Sequence, residues 1–490
     1  MTPLSRFQAL AADSDAPAIL QGEAVATRRA LLDRAAALTA PLAAQGVGPG
    51  DAVILSAPNS AEMAALALAA WMRGGHPVFV SHHAPADHIA VAKARTGARL
   101  AFDPTRDPDA AAALLEAAGM PAPGAPQPPG AVASVVFTSG STGAPKGVMQ
   151  SGANLVSGAQ RIARTLGYAD DDIILCPVPW SHDYGWGQLL SAFVLGLPLV
   201  LPETEGVQPM VAAMQRHRPT VIAGTPAVYA GMAYGISDIR TADLSHVRKL
   251  TSTGSHLAPE LVRDVATLFP NAQVYAHYGL TETYRSACLQ PADRDGREAS
   301  VGRAVEGARL VVVDESGRPL PAGEAGEIVH LGAGTFLGYV GDPERTARTL
   351  REIDLDGERL TGVFTGDMGR IDAAGFLTLV GRRDRMIKSM DVRLSLDDVE
   401  KRLIASGLLR RVAVVGVPHK VFGTKIVALA ELKDGATPAA VKAHARASLN
   451  KYMQPRDWRF PNILPQTPSG KIDYQAIQQA EEAGDSFTIS

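Results

Sequence analysis

The feature that most restricts what this chain can fold into is the alternation of Ala/Leu-rich helical stretches with short apolar runs before residue 120. Helical sequence at Arg28 to Ala40 and Ala61 to Met72 is interleaved with strand-like runs at Ala52 to Ser56 and Pro77 to Val80. Strand, helix, strand at this spacing predicts α/β architecture, a parallel sheet with helices packed over it. The pattern pauses at Gly119 to Gly130, GMPAPGAPQPPG, where proline and glycine leave no regular structure and a mobile connector is expected. It then resumes through Thr220 to Ala223, Lys249 to Ser252 and Gln273 to Ala276. The run LLSAFVLGLPLVLP from Leu189 is shorter than the ~20 residues of a membrane helix and reads as buried core.

Near Arg309 the texture changes to β-branched runs separated by turn chemistry, ARLVVVDESGRPLPAGEAGEIVHL and later FLTLVGRRDRMIKS, as in a meander or small barrel. From about Asp384 the order is a short helix (Ser395 to Ala405), strands (Val412 to Val417 and Lys425 to Leu432), a helix (Pro438 to Asn450) and a loop-rich tail. The sequence therefore divides into a large α/β body over 1–383, with a β-rich subdomain at about 300–380, and a small α+β domain over 384–490. No internal repeat is present.

Lys and Arg number 47 against 50 for Asp and Glu, so nothing in the charge calls for nucleic acid or an anionic membrane as partner; a small-molecule ligand is expected. The only cysteines, Cys176 and Cys288, form no CxxC pair, which speaks against a disulfide framework or a thiolate zinc site. MTPLSRFQALAADSDAPAIL lacks the charged start and apolar stretch of a secretory signal, so a cytoplasmic protein is expected.

SVVFTSGSTGAPKGVMQS, from Ser134, places Thr138, Ser139, Gly140, Ser141, Thr142 and Gly143 directly after an apolar strand, then Lys146. The glycines let backbone N–H groups approach an anion, the hydroxyls add donors and the lysine adds a full charge, a combination suited to a polyphosphate. It is not a Walker A motif, since Pro145 precedes the lysine and Gly147 stands where that motif needs Ser or Thr.

TSGSTGAPKGV resembles the signature of the adenylate-forming (AMP-binding) superfamily, which includes acyl- and aryl-CoA ligases, adenylation domains of peptide synthetases and luciferases. YGLTET from Tyr278, TGD from Thr365, GRRDRMIK from Gly381 and PSGKID from Pro468 follow in that family's order and spacing. The resemblance implies activation of a carboxylate by ATP to an acyl-adenylate with loss of pyrophosphate, then transfer to a thiol, either CoA or the phosphopantetheine of a carrier protein. It implies that the loop up to Lys146 holds the β- and γ-phosphates and that Gly254, Ser255 and Gly279 border the nucleotide. Tyr278 would stack on adenine, Thr281 would bond the α-phosphate and Glu282 would hold Mg²⁺. Asp367 would accept both ribose hydroxyls, Arg382 would add a ribose or phosphate contact, and Lys471 would act at the reacting carboxylate. The small domain would swing about Asp384 between the two half-reactions.

One departure concerns the stretch from Lys388 to Arg393, where the family usually has a glycine and this chain has Asp391. That loop is expected near the thiol channel, and an acidic side chain there could impede or redirect the thiol step; Arg393 is retained. For the acid pocket the resemblance points to His182, Asp183, Tyr184 and Trp186. Amino-acid-activating members hold the substrate ammonium with an aspartate near Asp183, and a buried carboxylate is costly unless paired. The competing reading has Asp183 capping a helix that starts at Tyr184. The leading expectation is a small amino acid loaded onto a separate carrier protein, since no carrier sequence follows AGDSFTIS. The alternatives are an acyl-CoA synthetase for a fatty or aryl acid, and a nucleotide-binding protein impaired in the thiol step. His82, His83 and His88 in SHHAPADH lack metal-site spacing and are expected to be a solvated loop and helix start.

Overall fold

The structure is a computed structural model, and it describes all residues except 13, 85, 139–144, 256, 356, 390–391, 420–422, 451, 468–470 and 484–490, with the side chains of 384, 388–393 and 423 also outside the description. The helix Ala61–Met72 shows why the first third folds as it does. Ser60 caps it by accepting from the Met63 amide, and every residue from Met63 to Trp71 is buried. Its alanines are small enough for close packing on all sides, and the Trp71 indole donates to the Ala133 carbonyl at 2.7 Å. Helices Arg28–Ala44 and Asp183–Leu195 contribute to the same apolar core, which lies between two sheets.

The smaller of those sheets has four parallel strands, Leu100–Phe102, Ala52–Leu55, His76–Phe79 and Val132–Thr138, followed by antiparallel Lys146–Ser151 and Gly338–Tyr339. The larger runs parallel through Pro17–Gln21, Leu199–Leu201, Ile174–Leu175, Val221–Gly224, Lys249–Ser252 and Gln273–Tyr278. It then continues, antiparallel, through Ala287–Leu289, Ser300–Ala304, Leu377–Arg382, Glu358–Ile371, Gly326–Gly332 and Ala308–Val313. The β-branched meander foreseen near Arg309 is thus the far half of the main sheet. No separate barrel is formed among the described residues.

After the turn Arg383–Arg385 come a hairpin (Met386–Ser389 with Val392–Ser395) and the helix Leu396–Ile404. A three-stranded sheet (Leu409–His419, Gly423–Leu432, Asp457–Arg459) and helices Pro438–Ser448 and Tyr474–Ala483 complete this part, which has apolar clusters of its own. Two local expectations need correction. The connector at 119–130 has no regular structure but is fastened: the Gly119, Ala122 and Gly124 amides donate to Ala37 O, Thr39 Oγ1 and Met72 O. The helix expected from Tyr184 starts at Asp183, and its cap is His182. No described helix is long and apolar enough to cross a membrane.

Candidate active site

The strand Gln273–Tyr278 is where the main sheet changes from parallel to antiparallel, and the YGLTET turn leaves from its end. Gly279 is required there, because a Cβ would lie 2.9 Å from the Arg285 Cα. The turn is pinned from the other sheet: Gln150 donates to Thr281 O at 2.9 Å, Asn154 donates to Gln150 Oε1, and the Phe336 amide donates to Glu282 O. Glu282 is thereby held inside, 3% exposed. Lys146 Nζ approaches its Oε1 at 2.5 Å and the Tyr339 hydroxyl donates to the same oxygen at 2.6 Å. Burial alone would push the Glu282 carboxyl up; the Lys146 charge and these hydrogen bonds outweigh it and leave its pKa lowered. Among the described residues no other side chain donates to Oε2, so a carboxylate oxygen is available to a hard divalent cation such as Mg²⁺. Tyr339, on the edge strand Gly338–Tyr339, was not foreseen from sequence.

Thr138 and Lys146 face each other across the base of a hairpin. The Thr138 hydroxyl is buried with no partner among the described residues. Ser139, Gly140, Ser141, Thr142 and Gly143 lie outside the described residues. Gly254, at φ +96°, and Ser255 are exposed just beyond the strand Lys249–Ser252. Thr281 is half-buried, and its side chain makes no hydrogen bond among the described residues.

Asp367 and Arg382 are register partners on adjacent strands, and Arg382 NH1 lies 3.0 Å from Asp367 Oδ1. The Tyr278 hydroxyl donates to Asp367 Oδ2 at 2.7 Å, while its ring, 7% exposed, packs with Ala287, Ile328 and Leu377. Tyr278 therefore orients the carboxylate expected to meet the ribose, a contact the motif does not announce, and little of its ring face is open for stacking.

His182 Nδ1 accepts from the Tyr184 amide at 3.2 Å, as an N-cap. Burial first, then the charges of Lys471 and Arg285, lower its pKa against the opposing effect of Asp183, so the ring is neutral. Lys471 is exposed and is one of the charges acting on that ring. Asp183 differs from expectation: its Oδ2 lies 3.2 Å from NH1 of Arg285, whose side chain is 5% exposed, so the carboxylate already has a cation. Its Oδ1 lies beside His182 Nδ1, which is itself an acceptor. The Arg285 guanidinium sits over the Tyr184 ring, and Tyr184 donates to Thr251 O at 2.6 Å.

Trp186 corrects the sequence reading. It is 2% exposed and packs on Phe79 and Trp71, so it belongs to the core between the sheets. Tyr184, equally buried and in the same apolar cluster, is fixed by its hydroxyl on Thr251. Arg285 and Tyr284 were missed. Tyr284 has φ +58°, and its ring is accommodated only because residue 158 is glycine, where a Cβ would lie 2.7 Å from it. Asp391 and the side chains of Asp384, Lys388 and Arg393 fall outside the described residues. His82 and His83 are brought together with Glu205, whose carboxylate lies 2.9 Å from His83 Nε2, and two of the three are exposed.

Residues 7–340 match the AMP-binding enzyme family, and 398–471 match the AMP-binding enzyme C-terminal domain. The chain is 30% identical over 351 residues to the sulfoacetate–CoA ligase of Cupriavidus necator, covering 71% of this chain and 67% of that one. It is also 30% identical to the D-alanine–D-alanyl carrier protein ligase of Lactiplantibacillus plantarum, over 70% of each. Among the first such relatives, the matched stretch spans 61% to 70% of the relative's own length. Among solved structures, the amide bond synthetase McbA of Marinactinospora thermotolerans superposes with TM-score 0.84 at 26% identity, over 98% of this chain and 99% of that one. The o-succinylbenzoate CoA synthetase of Bacillus subtilis in complex with AMP superposes at 0.87 with 21% identity, over 97% and 98%, and bears on the fold alone.

Proposed function

The chain belongs to the AMP-binding family of adenylate-forming enzymes, and from that premise we propose that it activates a small carboxylic acid with ATP and passes the acyl group to a thiol. Two like-charged groups, a carboxylate and an α-phosphate, have to be brought together in the first step, so catalysis rests on placing positive charge and donors around them. Lys146 stands at the base of the phosphate hairpin, Thr281 is free to bond the α-phosphate, and Asp367, aimed by Tyr278 and Arg382, accepts from the ribose. Lys471 would steady the carboxylate oxygen as it attacks. Glu282 Oε2 would hold Mg²⁺, which offsets phosphate charge when bound. The observation that carries this reading is the Lys146–Glu282–Tyr339 bracket beside the ordered Tyr278–Asp367–Arg382 cluster. Both converge on one turn.

For the acid, we propose a small amino acid whose ammonium meets Asp183 Oδ1, with Arg285 keeping the other oxygen, and a separate carrier protein as acceptor. Sequence alone offered a substrate ammonium as the partner of a buried Asp183, beside a helix-capping reading. The Arg285 pair removes the need for that partner, so what supports the amino acid is Oδ1, which Arg285 leaves unshared beside the neutral His182 ring. The second reading, a CoA ligase for an acid without an ammonium, is favoured by the same pair, since Asp183 and Arg285 already neutralise each other. ATP–pyrophosphate exchange over a panel of amino acids, octanoate and benzoate, followed by thioester assays with CoA and with phosphopantetheinylated carrier, tests both. Failure of every acid to support exchange above background would overturn the adenylation reading; exchange with octanoate or benzoate alone would overturn the amino-acid one.

A further inference from the structure

A connected set of polar groups runs from the ribose-side strand, past the pivot at Asp384, to the segment that carries Lys471. The Arg382 amide, ahead of the pivot, donates to Asp397 Oδ2 at 2.8 Å. Arg385, just after it, pairs with Asp397 Oδ1 and, at 2.6 Å, with Glu400 Oε1. Asp397 and Glu400 stand three apart on the helix Leu396–Ile404 and so share the face turned to Arg385. Glu400 is saturated further: its Oε1 accepts from the Val414 amide at 2.6 Å and its Oε2 from the Tyr474 hydroxyl at 2.9 Å. The Arg385 guanidinium also lies 3.9 Å from the centre of the Tyr474 ring. Tyr474 begins the last helix, three residues after Lys471, whose carbonyl accepts from the Thr467 amide at 2.8 Å.

We infer that Glu400 is a positioning residue for Lys471: through Tyr474 it ties the lysine's segment to Arg385, so that the ammonium keeps a fixed place relative to the pivot. The inference rests on the proposed adenylation role of Lys471. A buried ion pair could serve only to hold the small domain together. The two possibilities differ in what they touch. On the proposed swing about Asp384, Arg385, Glu400 and Tyr474 all follow the pivot and would turn with the small domain, and Lys471 would be turned away in the thiol half-reaction. A positioning role therefore affects acid activation alone, whereas loss of domain integrity depresses both half-reactions.

The full chain carrying Glu400→Gln or Tyr474→Phe separates them, with Lys471→Ala as reference. Pyrophosphate exchange, with whichever panel acid the unaltered enzyme uses best, should fall about 10- to 100-fold in Glu400→Gln and less in Tyr474→Phe, the loss expected from an ångström-scale misplacement. The KM for ATP and thioester formation from chemically prepared acyl-adenylate should stay within about 2-fold. An acid-free readout accompanies these: since Lys471 lowers the His182 pKa, NMR titration of that ring should show it rising in Lys471→Ala and in Glu400→Gln alike. Equal losses in both half-reactions, unchanged exchange, or a His182 titration that moves only in Lys471→Ala would each overturn the inference. Absence of exchange with every acid in the unaltered enzyme would count against the proposed function instead, and the His182 titration would still decide the role of Glu400.

Discussion

Replacing Asp183 with asparagine removes one charge and almost no volume, so its consequences follow from the Arg285 pair. At 3.2 Å, and with an effective dielectric of about 20, the Coulomb attraction is roughly 5 kcal/mol. Part of that is returned as Arg285 regains some water near Asp183, which is 16% exposed, and an asparagine oxygen still accepts one hydrogen bond. A net destabilisation of about 2–4 kcal/mol is expected, somewhat below the roughly 3–5 kcal/mol for removing one partner of a fully buried pair, because Asp183 is partly exposed. Urea unfolding of Asp183→Asn, Arg285→Met and the double variant measures it. The double variant should be more stable than the sum of the single effects predicts by at least about 2 kcal/mol. On activity, loss of a charge-assisted contact to an ammonium costs about 1.5–3 kcal/mol, or roughly 10- to 150-fold in kcat/KM for an amino acid. Strict additivity in the cycle would refute the pairing argument, and unchanged amino-acid exchange in Asp183→Asn would refute the ammonium site.

Tyr339→Phe deletes the hydroxyl on Glu282 Oε1 and should slow pyrophosphate exchange about 5- to 30-fold, the equivalent of about 1–2 kcal/mol, while costing no more than about 3 kcal/mol in urea unfolding. Trp186→Ala should cost about 3–5 kcal/mol in urea unfolding yet leave the ranking of acids in the exchange panel unchanged, because its ring fills the core. Burial lowers the pKa of His76 and His330 to about 4 and that of His277 to about 3. A histidine depressed in the folded state contributes stability above its unfolded value of about 6.5 and loses it as pH falls toward the folded value. Acidification from pH 6.5 to 4 should therefore weaken the fold by about 1.4 kcal/mol per pH unit for each of the three, and His277→Asn should flatten that slope. Urea midpoints at pH 7.5, 6 and 5 check it.

The α/β plan was legible because apolar periodicity is a local property: the helix Ala61–Met72 and the strand Lys249–Ser252 run between the residues their sequences suggest. The nucleotide motifs were legible because each packs its chemistry into a few consecutive residues. What escaped was every pairing that tertiary packing alone creates. Tyr339 reaches Glu282 from a two-residue edge strand 57 positions away, and Arg285 reaches Asp183 across 102. Nor could the string of letters say that Trp186 points inward while its neighbour Asp183 does not, since both begin the same helix and only the sheets on either side of it decide. Gly158 had no visible purpose until the left-handed Tyr284 was seen to lean on it.

The main sheet changes direction at Gln273–Tyr278 without any break in its hydrogen bonding, and this bears on how the chain can be taken apart. The ribose-side strand Glu358–Ile371 and the parallel strands behind the acid pocket are one ladder, so a cut between them leaves two raw edges and half a binding site on each fragment. Fragment complementation placed there should fail. A break in the surface turn between Val313 and Gly326 leaves the ladder's order intact and should be the better site for permuting the termini or inserting a reporter domain.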